Sequence, residues 1–221
     1  MTAARTTSAP GLRRMAAGAA AAPAAGGGGG TGATPRAAPS RATCELCPIG
    51  IGDNHRHLLH LVERRIICVC ETCWSMRSGD PEFRPPGGRT IWLEDFVMSH
   101  EVWSAFQIPI GLAFLLRSSV TGSVVALYPS PAGATESELE LTAWDALCVA
   151  NPILERLEPD AEALIVDRTA PVHRFAIVPV DQAYRLVGLI KSRWHGITGG
   201  HAVDDAIDEF FDGLRTRELT P

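Results

Sequence analysis

The chain has 221 residues, 46% of them hydrophobic and 20% charged, enough for one medium domain or a small domain beside a larger one. The formal net charge of −5 is unevenly spread: residues 1–43 carry five arginines and no acid, and the remainder carries 15 basic and 25 acidic residues. An acidic body repels phosphate backbones and argues against a nucleic-acid partner, and no run approaches the roughly 18 apolar residues that a membrane-spanning helix needs.

Residues 1–43 are rich in Ala, Gly and Pro and include the run Gly26–Gly30. Such a segment has too little to bury to offset its ordering entropy, so it reads as a disordered tail. Met15–Ala25 follows Arg13–Arg14, as an export signal would. It lacks Leu, Phe and Val and is broken by Pro23, so the tail reading stands and a cytoplasmic location is expected.

Residues 44–77 form a compact, zinc-ribbon-like cysteine and histidine module that is expected to bind metal. Within it, Arg56–Leu61 and Arg65–Val69 can pair as two strands around Val62–Arg64. Residues 78–88, with three prolines and three glycines in eleven positions, read as a linker without a regular element.

Residues 89–217 read as one α+β domain with antiparallel hairpins and three to four helices. Arg89–Leu93 is a short strand, and Ser99 caps a brief helix through Phe106. Gly111–Ser118 and Ser123–Tyr128 form a hairpin about Val120–Gly122. Pro129–Ala134 is expected as a rigid loop into a helix capped by Thr135, with Glu136 and Glu138 in its first turn. That helix should place Leu139, Ala143, Ala146 and Leu147 on one side and end before Pro152. Ala163–Asp167 and Arg174–Val178 read as a second hairpin joined through Arg168–Val172. Asp181 is expected to cap a helix reaching Trp194, stopped by Gly196 and Gly199–Gly200. A last helix runs from about Ala202 to Arg215, with Val203, Ile207, Phe210, Phe211 and Leu214 at helical spacing.

The chemistry lies in the module. Cys44-Glu-Leu-Cys47 is followed after 22 residues by Cys70-Glu-Thr-Cys73. Each C-x-x-C can fold into a knuckle that points two sulfurs at one spot, and two knuckles give a tetrahedral four-thiolate site suited to zinc, with iron or an iron–sulfur cluster as the alternative. This small segment cannot build an adequate core alone, so a bound ion would supply much of its folding energy. Cys68 makes a C-x-C-x-x-C cluster and could replace Cys70 or Cys73. Cys68 reads equally as a strand residue facing the ribbon core, and His55, His57 and His60 are near enough to replace a cysteine, although a surface or supporting position explains them as well. The Cys-Pro-x-Cys-Gly form of a rubredoxin knuckle is missing.

Outside the module no catalytic constellation stands out: there is no G-x-S-x-G, no lysine-bearing phosphate loop and no dinucleotide fingerprint. Cys148 reads as a small core residue. The loop Tyr128–Thr135 at a helix start could receive an anion or a peptide, but a rigid turn accounts for it. His173–Arg174 and Asp181–Tyr184–Arg185 could line a cleft, and Trp194-His195-Gly196 reads as a helix end with an aromatic anchor.

Taken together, several strings resemble one specific family: Cys44-Glu-Leu-Cys47, His55-Arg-His-Leu-Leu59, the Cys68/Cys70/Cys73 cluster, Tyr128-Pro-Ser-Pro-Ala-Gly-Ala-Thr-Glu136, Ala150-Asn151-Pro152 and Tyr184-Arg-Leu-Val-Gly-Leu-Ile190. The family is uncharacterised and actinobacterial, and its genes stand beside nickel–iron hydrogenase structural and maturation genes. The resemblance spans roughly residues 44 to 215 and implies an accessory role in assembly of, or electron transfer to, an uptake hydrogenase. It carries no mechanism. It implies a protein partner such as a hydrogenase subunit or maturation factor.

Three functions compete on these observations. A non-catalytic, metal-bearing accessory protein is the leading expectation. A redox carrier with iron on the same cysteines comes second, and a zinc-ribbon nucleic-acid regulator, disfavoured by the acidic body, third.

Overall fold

A computed structural model describes residues 42–137, 139, 141–194 and 200–218, all within one compact unit, Ser40–Pro221. Nearly all of the expected tail, together with Glu138, His195, Gly196 and Gly199, lies outside the described residues. The fold is α+β, with antiparallel sheets throughout.

The first sheet has three strands in the order β2-β1-β3, formed by β1 (Arg56–His60), β2 (Arg65–Val69) and β3 (Phe83–Arg84). Helix α1 (Glu71–Arg77) stands between β2 and β3. The β1–β2 turn puts Arg64 at φ 47°, an unusual geometry for a side chain other than Gly. Two contacts hold it there: its guanidinium pairs with Glu136 and its carbonyl accepts the Tyr184 hydroxyl. The segment 78–88, read from its prolines and glycines as free of regular elements, supplies β3. Phe83 is buried there under the Arg77 guanidinium and pairs with His60.

The second sheet has six strands in the order β4-β9-β8-β5-β6-β7. They are β4 (Ile91–Trp92), β5 (Leu112–Arg117), β6 (Val124–Ser130), β7 (Gly133–Ser137), β8 (Glu162–Asp167) and β9 (Arg174–Pro179). The β5–β6 and β8–β9 hairpins are those the apolar runs predict. In the first, Gly122 takes φ 65°, and its N–H reaches the Ser118 carbonyl at 2.9 Å. Strands β5 and β8 are buried on both faces, so they read as near-continuous apolar runs. Period-two alternation then sorts them: Leu112, Phe114 and Leu116 enter one core, and Ala113 and Leu115 the other.

Helices α4 (Val180–Arg193) and α5 (His201–Glu218) cover the first of these faces through Ala183, Leu186, Val187, Ile190, Ile207 and Phe211. Helices α2 (His100–Ala105) and α3 (Leu141–Ala150) cover the second through Trp103, Trp144 and Leu147, and a 3-10 turn at Pro152–Arg156 adds Leu154. Ser99 caps α2 as expected, its hydroxyl accepting from the Val102 N–H.

Three further expectations fail, at Thr135, Ala146 and Asp181. Thr135 does not start a helix: Pro131–Ala132 and Gly133, at φ 126°, close a hairpin, and Thr135 sits in β7 opposite Tyr128. The β-branched Thr135 suits that strand, its hydroxyl bonds the Ser130 hydroxyl, and the helix starts only at Leu141. On α3, Trp144 is buried instead of Ala146, which is exposed. Asp181 does not cap α4. Pro179 holds that position, and the Asp181 carboxylate is committed to His57.

Strand β1 joins the two halves. Its adjacent residues Leu58 and Leu59 are both fully buried, on opposite faces. Leu58 lies with Ile51, Ile67, Val69 and Phe83 beneath the cysteines, while Leu59 enters the core shared by the large sheet, α4 and α5.

Candidate metal centre

The first cysteine pair lies in a loop closed by a bridge between Thr43 and Gly50 and by the Cys44 N–H, which donates to the Ile49 carbonyl at 2.9 Å. Glu45, between the two cysteines, fastens this loop to β2. Its N–H donates to the Cys68 carbonyl at 2.9 Å, and its carboxylate accepts the Cys68 N–H at 2.7 Å. The other oxygen of that carboxylate pairs with Arg65 at 2.6 Å.

The second pair is not a knuckle. Cys70 is the N-cap of α1, with its Sγ accepting from the Cys73 N–H at 3.4 Å. Cys73 follows in the first helical turn. The positive end of a helix favours thiolates, so this placement lowers the cost of ionising both sulfurs. Glu71 opens the helix and Arg77 closes it, as the dipole prefers, and Arg56 pairs with Glu71 at 2.8 Å while stacking over Trp74. That charge pattern is the sequence signal for a helix at 71–77, masked by the knuckle-like spacing of Cys70 and Cys73.

The Sγ atoms of Cys44, Cys47, Cys70 and Cys73 all lie within 4.8 Å of one another, and those of Cys47 and Cys70 are 3.8 Å apart. Two thiolates bound tetrahedrally at a zinc–sulfur distance of about 2.3 Å stand about 3.8 Å apart. The donor set therefore fits one tetrahedral ion, and the group could hold a metal. A multinuclear iron–sulfur cluster bonds its cysteines to separate irons and needs a wider spread.

Electrostatics agree with shared occupancy. Burial pushes the Cys44 thiol up, but the N–H groups of Cys70, Leu46 and Cys47 outweigh it and bring the pKa down to about 6. Cys73 is pushed up to about 12, chiefly because its thiol donates to Cys47 and Cys70. Four sulfurs this close cannot all ionise without a cation to offset them.

The residues considered as substitutes lie elsewhere. His55, His57 and Cys68 form a separate group whose ligand atoms are mutually within 4.8 Å. His60 accepts the Glu63 N–H at Nδ1, 3.2 Å away, and packs edge-on against Phe83. Cys148 is half-buried on α3, beside the second core.

Other sequence candidates resolve differently. Tyr128–Thr135 forms the β6–β7 hairpin, so no helix N-terminus stands there to receive an anion. His173 and Arg174 line an open depression of about 580 Å³ with Trp92 and Arg215. Arg174 is already held by Asp167 at 2.6 Å and by Asp208 at 2.8 Å. Asp181 and Tyr184 reach His57 and Arg64 across the join between the two sheets, and Arg185 lines a depression with Gln182 and Phe210. No local pattern signals the Asp181–His57 pairing, because the two residues stand 124 positions apart in the chain.

The family of unknown function DUF5947 matches residues 43–218, and the chain belongs to that family. No curated protein and no solved structure matches the chain.

Proposed function

We propose that this DUF5947 chain is a non-catalytic accessory protein whose Cys44, Cys47, Cys70 and Cys73 thiolates hold one zinc ion. The convergence of the four sulfurs on one tetrahedral position carries this reading. Closed four-thiolate coordination leaves no open position for substrate, which makes the ion structural. Its role is to fix the Cys44–Cys47 loop against β2 and α1 and so shape a protein-binding surface.

The surroundings disfavour a nucleic-acid reading. Arg56, Arg64 and Arg65 of the small sheet are paired with Glu71, Glu136 and Glu45, leaving no bare basic stripe on that sheet among the described residues. No helix among the described residues is long and apolar enough to cross a membrane. The proposed location is the cytoplasm, where thiols stay reduced.

The resemblance to a hydrogenase-linked family supports a client: a subunit or maturation factor of an uptake nickel–iron hydrogenase. Deleting the gene should lower hydrogen uptake, and unchanged uptake would remove that client.

The test of the metal is elemental analysis of protein purified without added zinc. A colourless protein that keeps zinc, and loses it in the Cys47→Ser variant, supports the reading. A coloured protein with a sulfur-to-iron charge-transfer band would instead establish a rubredoxin-like electron carrier. That second reading has one observation in its favour, the Cys73 N–H donated to Cys70 Sγ, since such contacts tune an iron potential.

A further inference from the structure

We infer that His55, His57 and Cys68 form a second, three-ligand site for a divalent transition-metal ion, oriented by Asp181 and separate from the four-cysteine group. His57 and Cys68 are directly opposed in the β1–β2 ladder, so their side chains leave the same face of the small sheet. His55 lies two residues before His57, which brings its ring to that face as well. It is the face of Leu59 and α4. Leu58, Ile67 and Val69 point to the other side, toward the four sulfurs.

The hydrogen bonds fix the ring protons. His55 Nδ1 lies 2.8 Å from the Gly52 carbonyl oxygen, which can only accept, so Nδ1 carries the proton. His57 Nδ1 lies 2.9 Å from Asp181 Oδ2 and donates to that carboxylate. In the neutral rings both Nε2 atoms are therefore bare, yet they face each other at 3.2 Å. Two opposed lone pairs at that distance require a cation between them. Two imidazole nitrogens bound tetrahedrally at about 2.0–2.1 Å stand about 3.3–3.4 Å apart, so a zinc-sized ion fits where a shared proton is the alternative. Cys68 Sγ, within 4.8 Å of one ring nitrogen of each histidine, supplies the third ligand.

Asp181 gives an independent observation. Its side chain is 15% exposed, and its second oxygen, Oδ1, is buried with no hydrogen-bond partner. A carboxylate so placed carries charge that one imidazole N–H does not offset, and a cation on the far side of His57 would. Carboxylate, histidine and metal in that order is a recurring arrangement that fixes the ring and strengthens the ligand. Two nitrogens and one sulfur suit a borderline ion such as Zn²⁺. Three protein ligands at a partly exposed position leave a fourth for water or an exchangeable donor.

The experiment is a titration of the reduced, metal-stripped full chain with Zn²⁺, and with Co²⁺ as a spectroscopic probe. Wild type should bind two ions per chain, and the second Co²⁺ should add a weaker thiolate charge-transfer band than the first. His57→Gln should keep the four-sulfur spectrum and bind one ion. Asp181→Asn should weaken the second site roughly 10- to 100-fold with an unchanged circular dichroism spectrum. Cys47→Ser should lose the first ion and retain the second, so failure of the four-cysteine reading is separately visible. If wild type and His57→Gln, both folded, bind the same number of ions with equal affinity, the two rings share only a proton and the second site is overturned.

Discussion

The imidazole of His57 and the carboxylate of Asp181 meet at 2.9 Å across 124 positions of sequence. One belongs to the strand beside the cysteines, and the other opens the helix that covers the large sheet. The cysteine module is thus tied to the main core by a polar contact as well as by Leu59.

A strong chelator should lower the melting temperature of the whole chain, not only of a local segment, because β1 serves both cores. The expected loss is about 10 °C or more, since structural zinc contributes roughly 10 kcal/mol in isolated finger peptides and this module has its own apolar residues to soften the effect. Scanning calorimetry with and without chelator checks it, and a transition that does not move would show that the ion is not structural.

Cys44→Ser and Cys47→Ser should each abolish tight retention of the four-thiolate ion, while Cys148→Ser should leave the metal content unchanged. Mass spectrometry under native conditions reads the difference directly.

Leu59→Ala should destabilise the protein by about 2–5 kcal/mol, the range for a large-to-small change in a packed core. Urea unfolding followed by tryptophan fluorescence measures it. A cost below about 1 kcal/mol would mean that the strand does not pack as described.

Glu162 gives a pH dependence. Its side chain is 1% exposed, and Arg89 grips it with Nε at 2.6 Å and an amino group at 2.5 Å. Burial alone would push this carboxyl up, but the Arg89 guanidinium and the Glu158 N–H hold it below the usual carboxylate range. A depressed value means that the unfolded chain takes up the proton first as pH falls. The pair therefore contributes fully above the ordinary carboxylate range and is lost as pH drops through the folded value. Glu162→Gln should cost about 1–3 kcal/mol at pH 7, with the gap to wild type closing below about pH 4. A gap independent of pH would refute the charge pairing.

Gly87→Ala should cost about 1–3 kcal/mol in the same assay. A Cβ there would stand 2.8 Å from Glu162 Cγ and 3.1 Å from the Ala161 carbonyl oxygen, which already accepts the Gly87 N–H at 2.7 Å. Gly88→Ala, where a Cβ meets nothing within 4 Å, is the control.

Elements with strong periodicity were legible in the residues. Leu112–Arg117, Glu162–Asp167 and Arg174–Pro179 stand out as apolar runs bounded by turn residues, and α5 declares itself through Val203, Ile207, Phe210, Phe211 and Leu214. The proximity of the four cysteines followed from paired spacing. What escaped reading were places where one residue serves two grammars. Thr135 followed by acids looks like a helix start, yet the glycine two positions earlier and the pairing with Tyr128 make it strand. Asp181 has the chemistry of a cap, and only the tertiary position of His57 draws it away. The two-residue strand at Phe83 was hidden by its prolines, because its partner β1 lies more than twenty positions back in the chain.

The opposed leucines of β1 also limit how this stretch can change over evolution. With Leu58 and Leu59 committed to different cores, the strand has no spare phase. Adding or removing a single residue between His55 and Cys68 would rotate one set of side chains into the other's place, misaligning sulfurs and main core together. Length variation among relatives should therefore be barred from that interval and collect instead in surface connections such as the exposed turn at Val120–Gly122.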